Sequence, residues 1–92
     1  MAELEIPLRT GALDGTALHS DAVTLVFCVP KAFPPGQPIE LVLWPDTLEA
    51  LPLQARSIGS KLRADQQFEV RARLINLARG ARERLLQTFS QP

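Results

Sequence analysis

The sequence predicts an all-β dominated fold: a small six-stranded antiparallel β-barrel with one C-terminal amphipathic α-helix. Three observations carry that expectation. From Gln66 the chain alternates without a slip. Phe68, Val70, Ala72 and Leu74 are apolar and Glu69, Arg71 and Arg73 are charged, the period of a half-buried strand. After Asn76 the period lengthens, and Leu77, Ala81, Leu85 and Phe89 recur every four residues with Ala78 and Leu86 beside them. One helical face is therefore apolar. Upstream, short apolar runs are joined by turns without helical crossovers, so the strands should pair antiparallel.

Leu4, Ile6 and Leu8 alternate with Glu5, Pro7 and Arg9 as a first strand. Pro7 cannot donate to a ladder, so this strand is an edge or is paired on one side there. Residues 1–15 read either as that strand or as a mobile arm. Gly11 and the Asp14-Gly15 pair read as turns. A further strand begins at Thr16, breaks near His19, Ser20 and Asp21, and resumes from Ala22 to Val29. Val23, Leu25, Phe27 and Val29 share one face of it, and Val26 and Cys28 the other. Pro30, Pro34, Pro35, Gly36 and Pro38 mark a loop.

Ile39, Leu41 and Leu43 then share one strand face, with Glu40, Val42 and Trp44 opposite. Beyond the Pro45-Asp46 loop, LPLQARSIGSKL supplies a strand with Leu51, Leu53 and Ala55 inward. Ser60 to Gln67 is polar and reads as a hairpin connection. Asn76 is expected to cap a helix over 77–89, its side-chain oxygen accepting a bond from a first-turn amide.

Ninety-two residues suit a single domain, 1–92, with a modest core. Formal net charge is zero, so no global pull toward nucleic acid or a membrane surface exists. The charge is unevenly spread. Residues 1–52 carry two basic and seven acidic side chains, whereas residues 53–92 carry eight basic and three acidic ones. This asymmetry is either a basic interaction face or is neutralised where antiparallel strands from the two halves lie together. The single cysteine allows no internal disulfide and no two-cysteine metal site, and makes a cytoplasmic setting the default. The acidic start lacks the apolar run of a signal peptide, and no stretch approaches the ~20 apolar residues of a membrane span.

Catalytic chemistry finds little support. His19, Ser20 and Asp21 are adjacent, whereas a triad needs groups that converge in space from a set arrangement. Cys28 lies in an apolar strand without a basic sequence neighbour, which reads as a buried structural thiol. The five glycines are scattered and form no phosphate loop. Neither catalytic nor metal-binding residues are expected. What needs explaining is the second apolar face. If the barrel interior is filled by their neighbours, Val26, Cys28, Val42 and Trp44 must be covered by the helix stripe, a partner or a second copy of the chain.

The phrase FPPGQPIELVLWPDTLEALPLQARSI, followed by a strand and a helix with ARERLLQTF, resembles the PilZ domain family over roughly residues 16–90. The resemblance implies a six-stranded antiparallel barrel with a terminal helix, in a bacterial cytoplasmic protein. PilZ domains are receptors for the second messenger cyclic di-GMP. Binding members carry two arginines separated by three residues, and a motif of Asp or Asn, any residue, Ser, two residues, Gly. Guanidinium forks suit phosphates and guanine faces.

This chain departs from both motifs. No two arginines stand four positions apart, and only Arg9 lies near the start. Aligning Ser20 with the motif serine puts Leu18 at the acidic position and Val23 at the glycine position. The resemblance therefore implies a degenerate PilZ domain, similar to those of type IV pilus assembly that act through protein contacts in signalling or motility. Its candidate partner surface is Val26, Val42, Trp44, Arg71, Arg73, Arg79 and Arg82. The alternative is a true cyclic di-GMP receptor using Arg9, Ser20 or the C-terminal arginines. No cofactor, nucleic acid or membrane span is expected. Homodimerisation through the outer apolar faces is a third reading.

Overall fold

The computed structural model describes residues 6–21 and 23–89. It contains β1 (Ile6–Thr10), β2 (Leu13–Ser20), β3 (Thr24–Val29), β4 (Pro38–Leu43), β5 (Leu51–Leu62), β6 (Phe68–Ile75) and α1 (Arg79–Phe89). The strands close into a barrel in the order β1-β2-β3-β6-β5-β4, every neighbouring pair antiparallel. Fold class and strand count agree with the sequence reading. Closure removes the sheet edges that an open structure of this size would expose.

The alternating residues explain the interior. Leu8, Leu25, Phe27, Leu41, Leu43 and Val70 are fully enclosed, with Ala17, Ile39, Leu53, Ala55, Ala72 and Leu74 filling the wall between them. Two plugs complete the core, one at each end. Phe33, in the β3–β4 loop, stacks edge-on against Phe27 with ring centroids 6.4 Å apart. The hydroxyls of Ser57 and Ser60 both donate to the Phe33 carbonyl at 2.8 and 2.7 Å, and its amide donates to Ser60 Oγ. The other plug is Leu85 of α1, buried within the same core cluster. Because β3 and β6 are antiparallel, the loop after β3 and the helix after β6 lie at opposite mouths.

Several local expectations are corrected. The first hairpin turns at Gly11 and Ala12, with Thr10 facing Leu13. Gly11 takes the positive φ of +58° at the first loop position, where a type II′ turn places glycine. Asp14 and Gly15 are not a turn: both lie inside β2, opposite Arg9 and Leu8. The break near Ser20 is a second tight connection between β2 and β3, and there Val23 is 55% exposed instead of inward. β5 runs on to Leu62, leaving only residues 63–67 for its hairpin. Pro7 faces Thr16 on β2, and on its other side its carbonyl accepts from Trp44 N at 2.9 Å just beyond the Leu8 and Arg9 ladder, so the proline has a neighbour on both sides instead of one. The expectations for Leu4 and for the extreme start of the chain lie outside the described residues.

Asn76 does not cap the helix. It takes the left-handed backbone conformation, φ +52°, while its side-chain amide donates to Gln54 Oε1 at 3.1 Å. Asparagine tolerates that conformation better than most residues, and the chain uses it to turn out of the sheet. The helix starts only at Arg79, with Arg82 N donating to Ala78 O.

The β2–β3 turn carries a prediction. Asp21 Oδ1 accepts from the amides of Val23 and Thr24, both at 2.8 Å. These two bonds, the Val23 one first, hold its carboxyl below the usual aspartate range. A depressed native value means the stabilisation is present above the unfolded-state value and fades as pH falls through the native one. Wild type should therefore have a higher urea midpoint than Asp21→Ala at pH 6. The gap should narrow as the pH is lowered toward 2.

Candidate functional site

The residues singled out from the sequence fall into three groups that do not converge on one site, although Arg9 and Val42 share a cleft. Arg9 lies on the outer face of β1. Its Nε donates to Asp14 Oδ1 and its Nη1 to Asp46 Oδ2, both at 2.9 Å. The bonds to Asp14 and then Asp46 raise its pKa further, so the guanidinium stays charged and engaged. Ser20 is buried at the far end of β2, where its hydroxyl is within hydrogen-bond reach of the Asp21 and Thr24 carbonyls at 3.0 and 3.1 Å. Arg9 faces Asp14, six positions along β2 from Ser20. At 3.3–3.4 Å per residue that is ~20 Å.

The second group is Val42 and Trp44. Across the outer wall, register aligns Arg9 with Val42 and Val42 with Pro52. These residues, with Glu40, Gln54, Leu77 and Ala81, line a cleft of about 650 Å³ between the β4–β5 wall and the start of the helix. Trp44 stands just past β4 at φ +51°, and Arg84 of the helix lies over its ring, 5.2 Å from the centroid. Arg84 Nη2 also donates to the Glu49 carbonyl at 2.6 Å. The helix therefore half-covers Trp44 through a cation–π contact. Val42 is left half-buried in the cleft. Pro52 and Gln54 were missed by sequence reasoning, because only strand register places them beside Val42 and Glu40, whereas Leu77 belongs to the apolar stripe expected to cover Val42.

The third group is Val26, Arg71 and Arg73. Register makes two outward rows across the barrel: His19, Val26, Arg71 and Gly59 in one, Thr24, Arg73 and Arg56 in the next. Arg71 and Arg73 are exposed and make no hydrogen bond or ion pair among the described residues. Arg56 gives one bond, to the Gly36 carbonyl at 2.8 Å. Ile58, in the irregularity between Ser57 and Gly59, is 50% exposed beside them. Neither Arg56 nor Ile58 was singled out from the sequence. Arg79 and Arg82 are exposed on the helix.

The remaining chemical candidates are structurally absorbed. His19 is exposed while Ser20 points inward, so the adjacent His, Ser and Asp diverge. Cys28 is buried, and Arg63 Nη1 approaches its sulfur at 2.7 Å across the barrel wall. That neighbour is 35 residues away, invisible to local sequence inspection. No helix among the described residues is long and apolar enough to cross a membrane. Comparisons with protein-family models, curated proteins and solved structures find no match.

Proposed function

We propose that this chain is a non-enzymatic PilZ-like module of bacterial second-messenger, motility or type IV pilus pathways, acting in the cytoplasm through contacts with partner proteins. The observation that carries the reading is the engagement of Arg9 and Ser20. These are the two positions nearest to the nucleotide motifs. One is held by two carboxylates and the other is buried against backbone carbonyls. A dianionic dinucleotide would have to displace Asp14 and Asp46 from Arg9 and would gain a single guanidinium. Each charge-assisted hydrogen bond it lacks weakens binding by roughly 1.5–3 kcal/mol, about one to two decades of affinity.

Titration calorimetry of the purified chain with cyclic di-GMP should give no saturable heat up to about 100 µM ligand, which corresponds to binding weaker than about −5.5 kcal/mol. Saturation at low micromolar ligand would reverse the conclusion. It would then favour the receptor reading, for which the unpaired Arg71 and Arg73 are the available phosphate contacts.

A further inference from the structure

The wall around Arg71 differs from the rest of the barrel in charge, in curvature and in what it leaves uncovered. Arg56 and Arg73 are directly opposite one another on β5 and β6, and Arg71 is in the adjacent outward row. Like charges facing across a ladder destabilise a sheet. No acidic residue stands in either row. Glu69 belongs to the next one, between Cys28 and Lys61, and Asp21 at the nearby turn spends its Oδ1 on two amides. The repulsion is thus not relieved by an ion pair among the described residues.

Curvature singles out the same place. The barrel has two register irregularities, between Ala17 and His19 on β2 and between Ser57 and Gly59 on β5. Both fall at the ends of the single row His19, Val26, Arg71, Gly59. Bulges bend a strand and re-aim side chains. Here Ile58 continues the outward alternation of β5 at 50% exposure next to Arg56, the bulge sets Gly59 opposite Arg71, and half-buried Val26 lies on the far side of Arg71, on β3. Arginine next to apolar anchors is the composition enriched at protein interfaces. A closed barrel offers no free edge for strand addition, so a partner must be read through side chains.

We propose that the outer face formed by Val26, Ile58, Arg56, Arg71 and Arg73 docks an acidic segment of a partner protein. Its carboxylates pair with the guanidinium groups, and an apolar side chain packs between Ile58 and Val26. This rests on the interaction-module reading and adds the chemistry of the partner.

The test uses the full chain and a fluorescein-labelled twelve-residue peptide of Asp and Glu with one central Leu. Anisotropy should saturate with a Kd of about 10–100 µM, the range of a small transient contact. Binding should weaken as salt rises. It should fall at least tenfold with Arg71→Glu/Arg73→Glu and several-fold with Ile58→Ser, and the charge reversal should not lower the urea midpoint, because it replaces the repulsion between Arg73 and Arg56 with an attraction. Amide resonances of β3 and β6 should shift on peptide addition. Equal binding by the peptide with lysine in place of every acid would overturn the proposal, as would peptide binding that survives the double charge reversal. Tighter binding to a 20-base-pair DNA duplex or to phosphatidylglycerol vesicles would overturn it as well. The two readings fail differently. Absence of peptide binding with a silent cyclic di-GMP titration removes only the acidic class, whereas a saturating titration removes the module reading beneath it.

Discussion

Gly15→Ala is expected to destabilise the barrel by about 3 kcal/mol or more, above the usual range for a single added methyl. Gly15 lies within β2, and its φ is not in the left-handed region, so the requirement is for space. A Cβ there would run into the Cys28 carbonyl oxygen and come within 2.5 Å of Val29 Cγ1. The obstacle is largely backbone of β3, which cannot swing aside as a flexible side chain would. Relief requires β2 and β3 to separate where Thr16 pairs with Cys28. Against a total stability of roughly 5–15 kcal/mol for a domain of this kind, the loss is large. Urea unfolding followed by circular dichroism measures it. Gly59→Ala is the matched control, since a Cβ there meets nothing within 4 Å. It should change stability by less than about 1 kcal/mol in either direction. Equal midpoints for the two variants would refute the close-approach argument.

Leu85→Ala should cost about 2–4 kcal/mol, the range for emptying a fully buried leucine site, and should release the helix before the barrel. The helix has little support of its own. At 11 residues it is shorter than an isolated helix needs. Its first turn contains Gly80 and no acid, and Arg79 and Arg82 stand near the end where the macrodipole disfavours positive charge. Docking therefore supplies most of its stability, and Leu85 is its only buried residue. Hydrogen exchange should show protection lost over Arg82–Phe89 while β3 and β6 amides stay protected. The single tryptophan provides a second readout, because undocking takes Arg84 off the Trp44 ring and should red-shift its emission. Uniform loss of protection across barrel and helix would mean instead that the two unfold as one unit.

The same residues show how far periodicity reaches. Val70, Ala72 and Leu74, or Ile39, Leu41 and Leu43, are inward because alternation allows no other placement once one face is buried. Turn residues were less legible. Asp14-Gly15 has the composition of a hairpin loop, yet the glycine serves a close approach of β2 to β3 that no local pattern records. Asn76 has the composition of a helix cap, yet its tolerance of positive φ is what the chain uses. Phe33 sits among prolines in a loop, and nothing nearby indicates that it closes a barrel mouth.

The candidate site divides in the same way. Val26, Arg71 and Arg73 were legible as an outward face, because strand alternation alone puts them there. Alternation likewise puts Arg56 and Ile58 outward on β5, but their grouping with Arg71 and Arg73 depends on the β5–β6 register, which leaves no trace in the sequence. Val42 and Trp44 were legible as an apolar face lacking cover. What covers them required the helix position: Arg84 takes the indole, and Leu77 and Ala81 wall the cleft beyond it.

By itself, then, the sequence determined the architecture, since periods of two and of 3.6 dictate which side chains leave water and so which elements must pack together. Only the tertiary structure decided the surface. Side chains on an outward face are not constrained by burial, and their neighbours come from strands up to dozens of residues away. Hairpin register set Arg56 against Arg73 and Arg9 beside Asp14, and the β1–β4 pairing brought Arg9 to Asp46 just beyond β4.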